Sequence, residues 1–232
     1  MTNLQNSLEK HYNAFLPLAI ILVTLCLATV VIGYQLVEFK GWIFSAVALI
    51  IPIRYLLCDI VAEVYGFKIA KKLIALMILA GLFFSLLLCI LIKLPAPAYW
   101  KHSEAYDFVL GGTLRIMCSA SLGVFVGSFL NVYLVSRWRI LAKGQFFWLR
   151  SLASSGIGEI TQYLIGLALM FHGFLEWDKL FHLIINDYLV QVSVLLFLSP
   201  IAHVCMLLLR NYEQIEPDDH ALKVDSSGSA RS

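Results

Sequence analysis

The chain has 232 residues, of which 60% are hydrophobic and only 14% charged, with a formal net charge of +2. A water-soluble domain carries roughly 45–50% apolar and about 25% charged residues. This composition therefore excludes a soluble globular enzyme and calls for lipid as the solvent. A membrane helix needs about 20 apolar residues, so six crossings use most of the length and leave little for a soluble domain.

The apolar runs, in chain order, predict six spans. The first covers Phe15 to Val37 and ends in a short polar turn, Glu38 to Gly41. It is too long for the core of a cleavable signal peptide, and no convincing small-residue cleavage site follows it, so it is expected to remain as a span. The second runs from Trp42 to Val64 and carries Pro52, Arg54, Asp59 and Glu63. A basic connection, Gly66 to Lys72, leads to the third span, Leu73 to Leu94. A longer loop from Pro95 to Asp107 precedes the fourth, Phe108 to Val135, which holds Arg115. The fifth is Trp148 to Phe171 and the sixth His182 to Leu209. The predicted fold is all-α, a bundle of six transmembrane helices. Residues 1–210 form the transmembrane domain, and 211–232 a polar tail with the composition of a disordered segment.

Lysine and arginine placement sets the orientation. With the N-terminus in the cytoplasm, the cytoplasmic segments hold eleven basic residues, including Lys68, Lys71, Lys72, Arg137, Arg139 and Lys143. The outer loops hold four: Lys40, Lys93, Lys101 and Lys179. Both termini are therefore expected to be cytoplasmic. Trp42, Trp100, Trp138, Trp148 and Trp177 fall near predicted interfaces, where tryptophan forms belts.

Charge inside a bilayer costs about 2.5–3.5 kcal/mol per residue on insertion scales, so each intramembrane charge marks a cavity, a partner or a function. Asp59 and Glu63 are four apart and share one helix face. They make either a substrate or proton site, or a structural cluster with Lys68, Lys71 and Lys72. Pro52, just upstream, interrupts the helical hydrogen bonding. In the fifth span Ser151, Ser155, Glu159 and Gln162 form one polar stripe, with Gly156 and Gly158 permitting close approach of another backbone. Glu159 lies mid-membrane by count and is either a functional carboxylate or the partner of Arg115. Arg115 can alternatively extend its head group to the outer face. Asn131 sits near the inner end of the fourth span. Gly123, Gly127, Gly156 and Gly158 suit helix packing within or between protomers, so a homo-oligomer is compatible.

The five cysteines all fall in apolar runs without ligand spacing and are expected to be small buried hydrophobes. His203, with Pro200, interrupts the sixth span and has no ligand-spaced companion, so no metal is assigned. No cofactor is expected. There is no phosphate-binding GxxxxGK[ST] loop and no GxSxG elbow. Polar groups spread over several helices favour a transporter over an intramembrane enzyme. Without an ATPase of its own, the chain uses a gradient, moves solute passively, or is a binding subunit that docks to a separate ATP-driven module.

The stretch IPIRYLLCDIVAEVYGFKIAKK, Ile51 to Lys72, resembles the signature of the putative vitamin uptake transporter family, whose characterised members are queuosine precursor transporters. The matching residues are Pro52, Asp59, the Glu63-Val64-Tyr65-Gly66 run, Lys68, Lys71 and Lys72. Asn131, Ser136 and Trp138 look like the family's fourth-helix end, and FWLRSLASSGIGEITQ, Phe147 to Gln162, like its fifth-helix motif. Two features depart. The family commonly has Gln or Glu followed three residues on by Asp where this chain has Glu159 and Gln162. Many members carry Asn and Lys in the first helix, where Gln35 is the nearest polar residue here.

The resemblance implies multi-pass, bacterial inner-membrane uptake of a 7-deazaguanine: the cyano or aminomethyl precursor, or queuine. Another vitamin or nucleobase is the alternative substrate. The partners are then the small base and the bilayer, not nucleic acid. A guanine-like edge presents adjacent N–H donors that a carboxylate accepts together. Glu159 is the first choice for that contact, with Gln162 reading the ring carbonyl. Asp59 and Glu63 supply a second contact or attract an aminomethyl cation, and Asn131 and Arg115 are weaker candidates.

Overall fold

The computed structural model describes residues 14–97, 99–141 and 147–213; the side chains at 67, 128, 131, 132 and 135–156 lie outside that description. The chain is predominantly helical, in the order α1 (Phe15–Val31), β1 (Leu36–Phe39), β2 (Trp42–Ser45), α2 (Val47–Tyr65), α3 (Phe67–Ile92), α4 (Ser103–Leu110), α5 (Thr113–Leu141), α6 (Phe147–Phe171) and α7 (Trp177–Glu213). Three stretches are long and apolar enough to cross a membrane: Lys68–Ile92, Ser103–Gly127 and Trp177–Tyr212. Phe15–Val31 and Ile157–Phe171 are shorter apolar helices.

The first two predicted spans are each shorter than the apolar runs suggest, because a β-hairpin lies between them. The helix stops at Val31, and Gly33 follows, where a Cβ would stand 2.8 Å from the Ile116 side chain. The strands pair antiparallel from Leu36↔Ser45 to Phe39↔Trp42. Their two-residue turn, Lys40-Gly41, has φ of 51° and 83°. Positive φ at both central positions is the signature of the turn whose twist matches a hairpin. Phe44 and Ser45 face inward, while Trp42 and Ile43 remain exposed.

α2 carries Pro52 in its interior. Proline has no N–H, so the carbonyl of Ala48 loses its helical donor. α2 ends at Gly66, whose φ of 90° and ψ of 155° turn the chain directly into α3. The basic connection therefore becomes the first turns of α3, with Lys68, Lys71 and Lys72 exposed. The fourth predicted span is also divided: α4 ends at Leu110, and Gly111-Gly112 separate it from α5.

α5 and α6 are antiparallel and in backbone contact. A Cβ at Gly123 would meet the Gln162 carbonyl oxygen at 2.6 Å, and one at Gly127 the Gly158 oxygen at 2.5 Å. These two glycines serve packing within the chain, where van der Waals contact, rather than water exclusion, holds membrane helices together. α7, at 37 residues, is about 56 Å long at 1.5 Å per residue. It continues three residues past the predicted end of the transmembrane domain, and residues 214–232 lie outside the description.

Two apolar clusters flank the centre of the bundle. Leu22, Cys26, Val30, Val61, Val64 and Met77 join α1, α2 and α3. Ile116, Leu167, Phe171, Leu180 and Leu183 join α5, α6 and α7. The outer faces are apolar as well: Leu79, Phe83, Leu86 and Ile90 of α3, and Leu196, Phe197, Val204 and Leu208 of α7, are exposed. Contiguous apolar surface on this scale belongs against lipid. The chain is a membrane protein. Cys26 is buried, but Cys118 and Cys205 stand on exposed faces, so burial does not extend to every cysteine. His203 is exposed too.

Candidate functional site

Between the two clusters lies a cavity of about 260 Å³. α1, α2, α3, α5, α6 and α7 each contribute to its wall, together with Gly33 and Ser45 from the hairpin region. That volume lies near the lower bound of small-molecule pockets, about 300 Å³.

Its polar groups come chiefly from facing stripes on α2 and α6. Arg54, Tyr55 and Asp59 of α2, and Gln162 and Tyr163 of α6, line it. The i, i+4 spacing of Tyr55 and Asp59 places both on one helix face. The Gln162 amide nitrogen donates to the Tyr55 hydroxyl at 2.7 Å. The Arg54 guanidinium stands 5.8 Å from the Tyr55 ring centroid. Among the described residues no carboxylate lies within ion-pair distance of it; the pairs there, Lys179–Glu176 and His182–Asp178, are exposed and distant in sequence. Glu159 is half-buried, one helical turn before Gln162, and within electrostatic reach of Asp59 and Tyr55.

The hairpin side of the cavity is closed by a second polar contact. Asp187 of α7 is 1% exposed and accepts two hydrogen bonds from Ser45, from the backbone N–H at 2.6 Å and from the hydroxyl at 2.5 Å. Next to it, the Asn186 amide donates to the Ile43 carbonyl at 2.9 Å. Both charge-bearing oxygens of Asp187 are thus occupied, and α7 is fastened to β2.

Hydroxyls elsewhere in the helices satisfy themselves locally. Thr24, Ser85, Thr161 and Ser193 each donate to the carbonyl four residues back at 2.8 Å, as a membrane environment demands. Against that background, the Ser121 and Tyr163 hydroxyls are exceptions: they are buried, line the cavity and have no partner among the described residues. An unsatisfied buried polar atom costs about 1–3 kcal/mol, which a hydrogen-bonding ligand would recover.

The predicted site residues are therefore only partly brought together. Asp59 and Gln162 line the cavity, and Glu159 stands beside it. Glu63 is exposed one turn further along α2, does not line the cavity and, among the described residues, has no lysine within ion-pair distance. The side chains of Asn131 and Ser155 lie outside the described residues. Arg115 is not the partner of Glu159. Its Nε donates to the Leu169 carbonyl at 2.9 Å and a terminal nitrogen to the His172 carbonyl, capping the end of α6. A cation there complements the helix dipole.

Sequence reasoning passed over Tyr55, Tyr163 and the Asp187–Ser45 contact. Asp187 had a legible signal: it is a carboxylate within the sixth apolar run. The tyrosines had none, because aromatic residues in a span read as ordinary bundle packing.

A second cleft of about 520 Å³ lies at the hairpin end, lined by Tyr34, Asp107, Phe108, Arg115, Phe171 and Phe174 among others. Arg115 stands 5.3 Å from the Phe174 ring centroid.

Comparison with known proteins adds a lineage to this geometry. The family described as putative vitamin uptake transporter matches residues 45–205. A protein of Bacillus subtilis (strain 168) named probable queuosine precursor transporter is 27% identical over 163 residues, covering 67% of this chain and 69% of that protein. No solved structure matches the chain. The family match spans Ser45, Arg54, Tyr55, Asp59, Ser121, Gln162, Tyr163 and Asp187 of the cavity's polar lining, and Thr29 lies before it.

Proposed function

The chain belongs to the putative vitamin uptake transporter family, and from that premise we propose that it takes up a queuosine precursor, a 7-deazaguanine base, across the bacterial inner membrane. In this reading α1, α2, α3, the α4–α5 unit, α6 and α7 make six crossings. The basic ends of α3 and α5 and both termini face the cytoplasm, following the lysine and arginine bias. The hairpin and α4 face outward.

The observation that carries the reading is the set of Asp59, Tyr55 and Gln162 around one compact cavity. A guanine-type ring presents an N–H and an amino group side by side, and a carboxylate accepts both. Asp59, which lines the cavity, makes that contact. Glu159, beside it, contributes negative potential and a second acceptor. The Gln162 amide, oriented by the Tyr55 hydroxyl, donates its second N–H to the ring carbonyl. The unpartnered Tyr163 and Ser121 hydroxyls supply further donors. Arg54 stacks against the ring face or meets the carbonyl, in keeping with its planar guanidinium. The modest volume favours a bicyclic base over a larger vitamin. The chain's lack of a phosphate-binding loop is consistent with transport without an ATPase of its own.

The test is equilibrium binding of 7-cyano-7-deazaguanine, 7-aminomethyl-7-deazaguanine and queuine to purified protein, with Asp59→Asn and Glu159→Gln compared against the parent. The expected result is saturable binding that weakens about tenfold or more in Asp59→Asn, the scale of a lost charge-assisted hydrogen bond. A folded protein that binds no deazaguanine would overturn the substrate reading.

A further inference from the structure

The second cleft and the central cavity are lined by residues adjacent in sequence. Gly33 lines the cavity and Tyr34 the cleft; Ile116 lines the cavity and Arg115 the cleft; Met170 lines the cavity and Phe171 the cleft. Three neighbouring pairs, from the α1–β1 connection, α5 and α6, thus each contribute one residue to either compartment.

The cleft has the parts of a site for a flat heteroaromatic ring. Tyr34 meets Phe171 edge-on with centroids 5.6 Å apart and lies 5.2 Å from Phe174. A Cβ on Gly112 would collide with the Tyr34 ring, so that ring rests directly on the backbone between α4 and α5. Phe108 supplies another wall. The Tyr34 hydroxyl is buried with no hydrogen-bond partner among the described residues. Arg115 commits one N–H to Leu169 and one to His172, leaving three of the five guanidinium N–H groups. A ring carbonyl can accept from Arg115 and from the Tyr34 hydroxyl, while Asp107, also in the cleft, accepts from an amino group.

We propose that this cleft is a second binding site for the same 7-deazaguanine base, occupied in series with the central cavity, with Tyr34, Gly33, Ile116 and Phe171 between them. The proposal rests on the substrate reading above. A lipid head group is the competing occupant. It is less well matched, because Arg115 directs two of its donors to the end of α6, and the remaining lining, Asp107 apart, carries no charge.

The experiment measures binding stoichiometry of radiolabelled 7-cyano-7-deazaguanine on the purified full chain, and counterflow uptake in proteoliposomes, which needs no assumption about coupling. Two sites per chain are expected. Tyr34→Phe removes only a hydroxyl and preserves the ring packing; it should weaken one site about fivefold, the equivalent of one hydrogen bond. It should also raise the uptake KM in proportion. Phe108→Ala should weaken the same site, and Asp59→Asn the other. Saturation at one site per chain, lost in Asp59→Asn and indifferent to Tyr34→Phe and Phe108→Ala, overturns the second site alone; a lipid-filled cleft gives this result. Absence of any binding by folded parent protein overturns the second site and the substrate reading together.

Discussion

The Gln162 amide donates to the Tyr55 hydroxyl at 2.7 Å, joining α6 to α2 across the central cavity. This bond fixes which end of the amide faces the ligand. The nitrogen is engaged by the phenol, so the oxygen and the second N–H remain for recognition.

Tyr55→Phe should therefore act as a positioning change. It frees the amide to rotate and removes one hydrogen bond, worth about 1 kcal/mol. We expect substrate Kd to rise about fivefold with little change in thermal stability. A double-mutant cycle with Gln162→Leu checks the coupling: the Tyr55→Phe effect should vanish once the amide is gone.

Asp187 and Ser45 make a paired prediction on stability. Asp187→Ala leaves the buried Ser45 N–H and hydroxyl unsatisfied, and hydrogen bonds to charged groups contribute about 1.5–3 kcal/mol each. Ser45→Ala removes only the hydroxyl bond and keeps the backbone one. Asp187→Ala should lower the melting temperature in detergent by more than Ser45→Ala does. Equal losses would mean that the backbone bond contributes nothing.

The glycines of α5 and α6 are not equivalent. A Cβ at Gly123 or Gly127 runs into backbone oxygen of α6, whereas one at Gly166 meets only the Ser119 oxygen at 3.7 Å, an ordinary contact. Gly123→Val and Gly127→Val should reduce the yield of folded, monodisperse protein sharply. Gly166→Ala should be tolerated or slightly stabilising. Size-exclusion profiles of the three variants decide it.

Lys40 holds a left-handed backbone conformation, with φ of 51°, which costs a side-chain-bearing residue about 1 kcal/mol. Asparagine tolerates that region and makes the preferred Asn-Gly turn. Lys40→Asn should raise the melting temperature by about 2–4 °C for a chain of this size, measured in parallel with the parent.

The helical regions away from the hairpin were legible because long apolar runs have one solution in lipid. The hairpin was not. Leu36 to Ser45 sits inside a nearly continuous apolar stretch, and hydropathy does not separate a strand from a helix there. The Lys40-Gly41 turn was read as polar punctuation, although its flanking aromatic and β-branched residues also fit a hairpin. Charge inside the membrane drew attention to Asp59, which lines the cavity. It did not place Arg115, because the donor-rich side chain found backbone carbonyls at a helix end, a partner that no sequence spacing announces. Nor did it distinguish Asp59, which lines the cavity, from Glu63 on the same face, since one helical turn decides which of the two reaches the cavity.

Gly66 alone separates α2 from α3. With consecutive Cα atoms only about 3.8 Å apart, the two helices cannot slide independently at that end. Their permitted relative motion is rotation about this single pivot, and glycine's unrestricted φ supplies it. The segment bearing Arg54, Tyr55 and Asp59 thus travels together with the start of a 26-residue helix whose other face meets lipid. The binding wall and the lipid-facing wall form an articulated V.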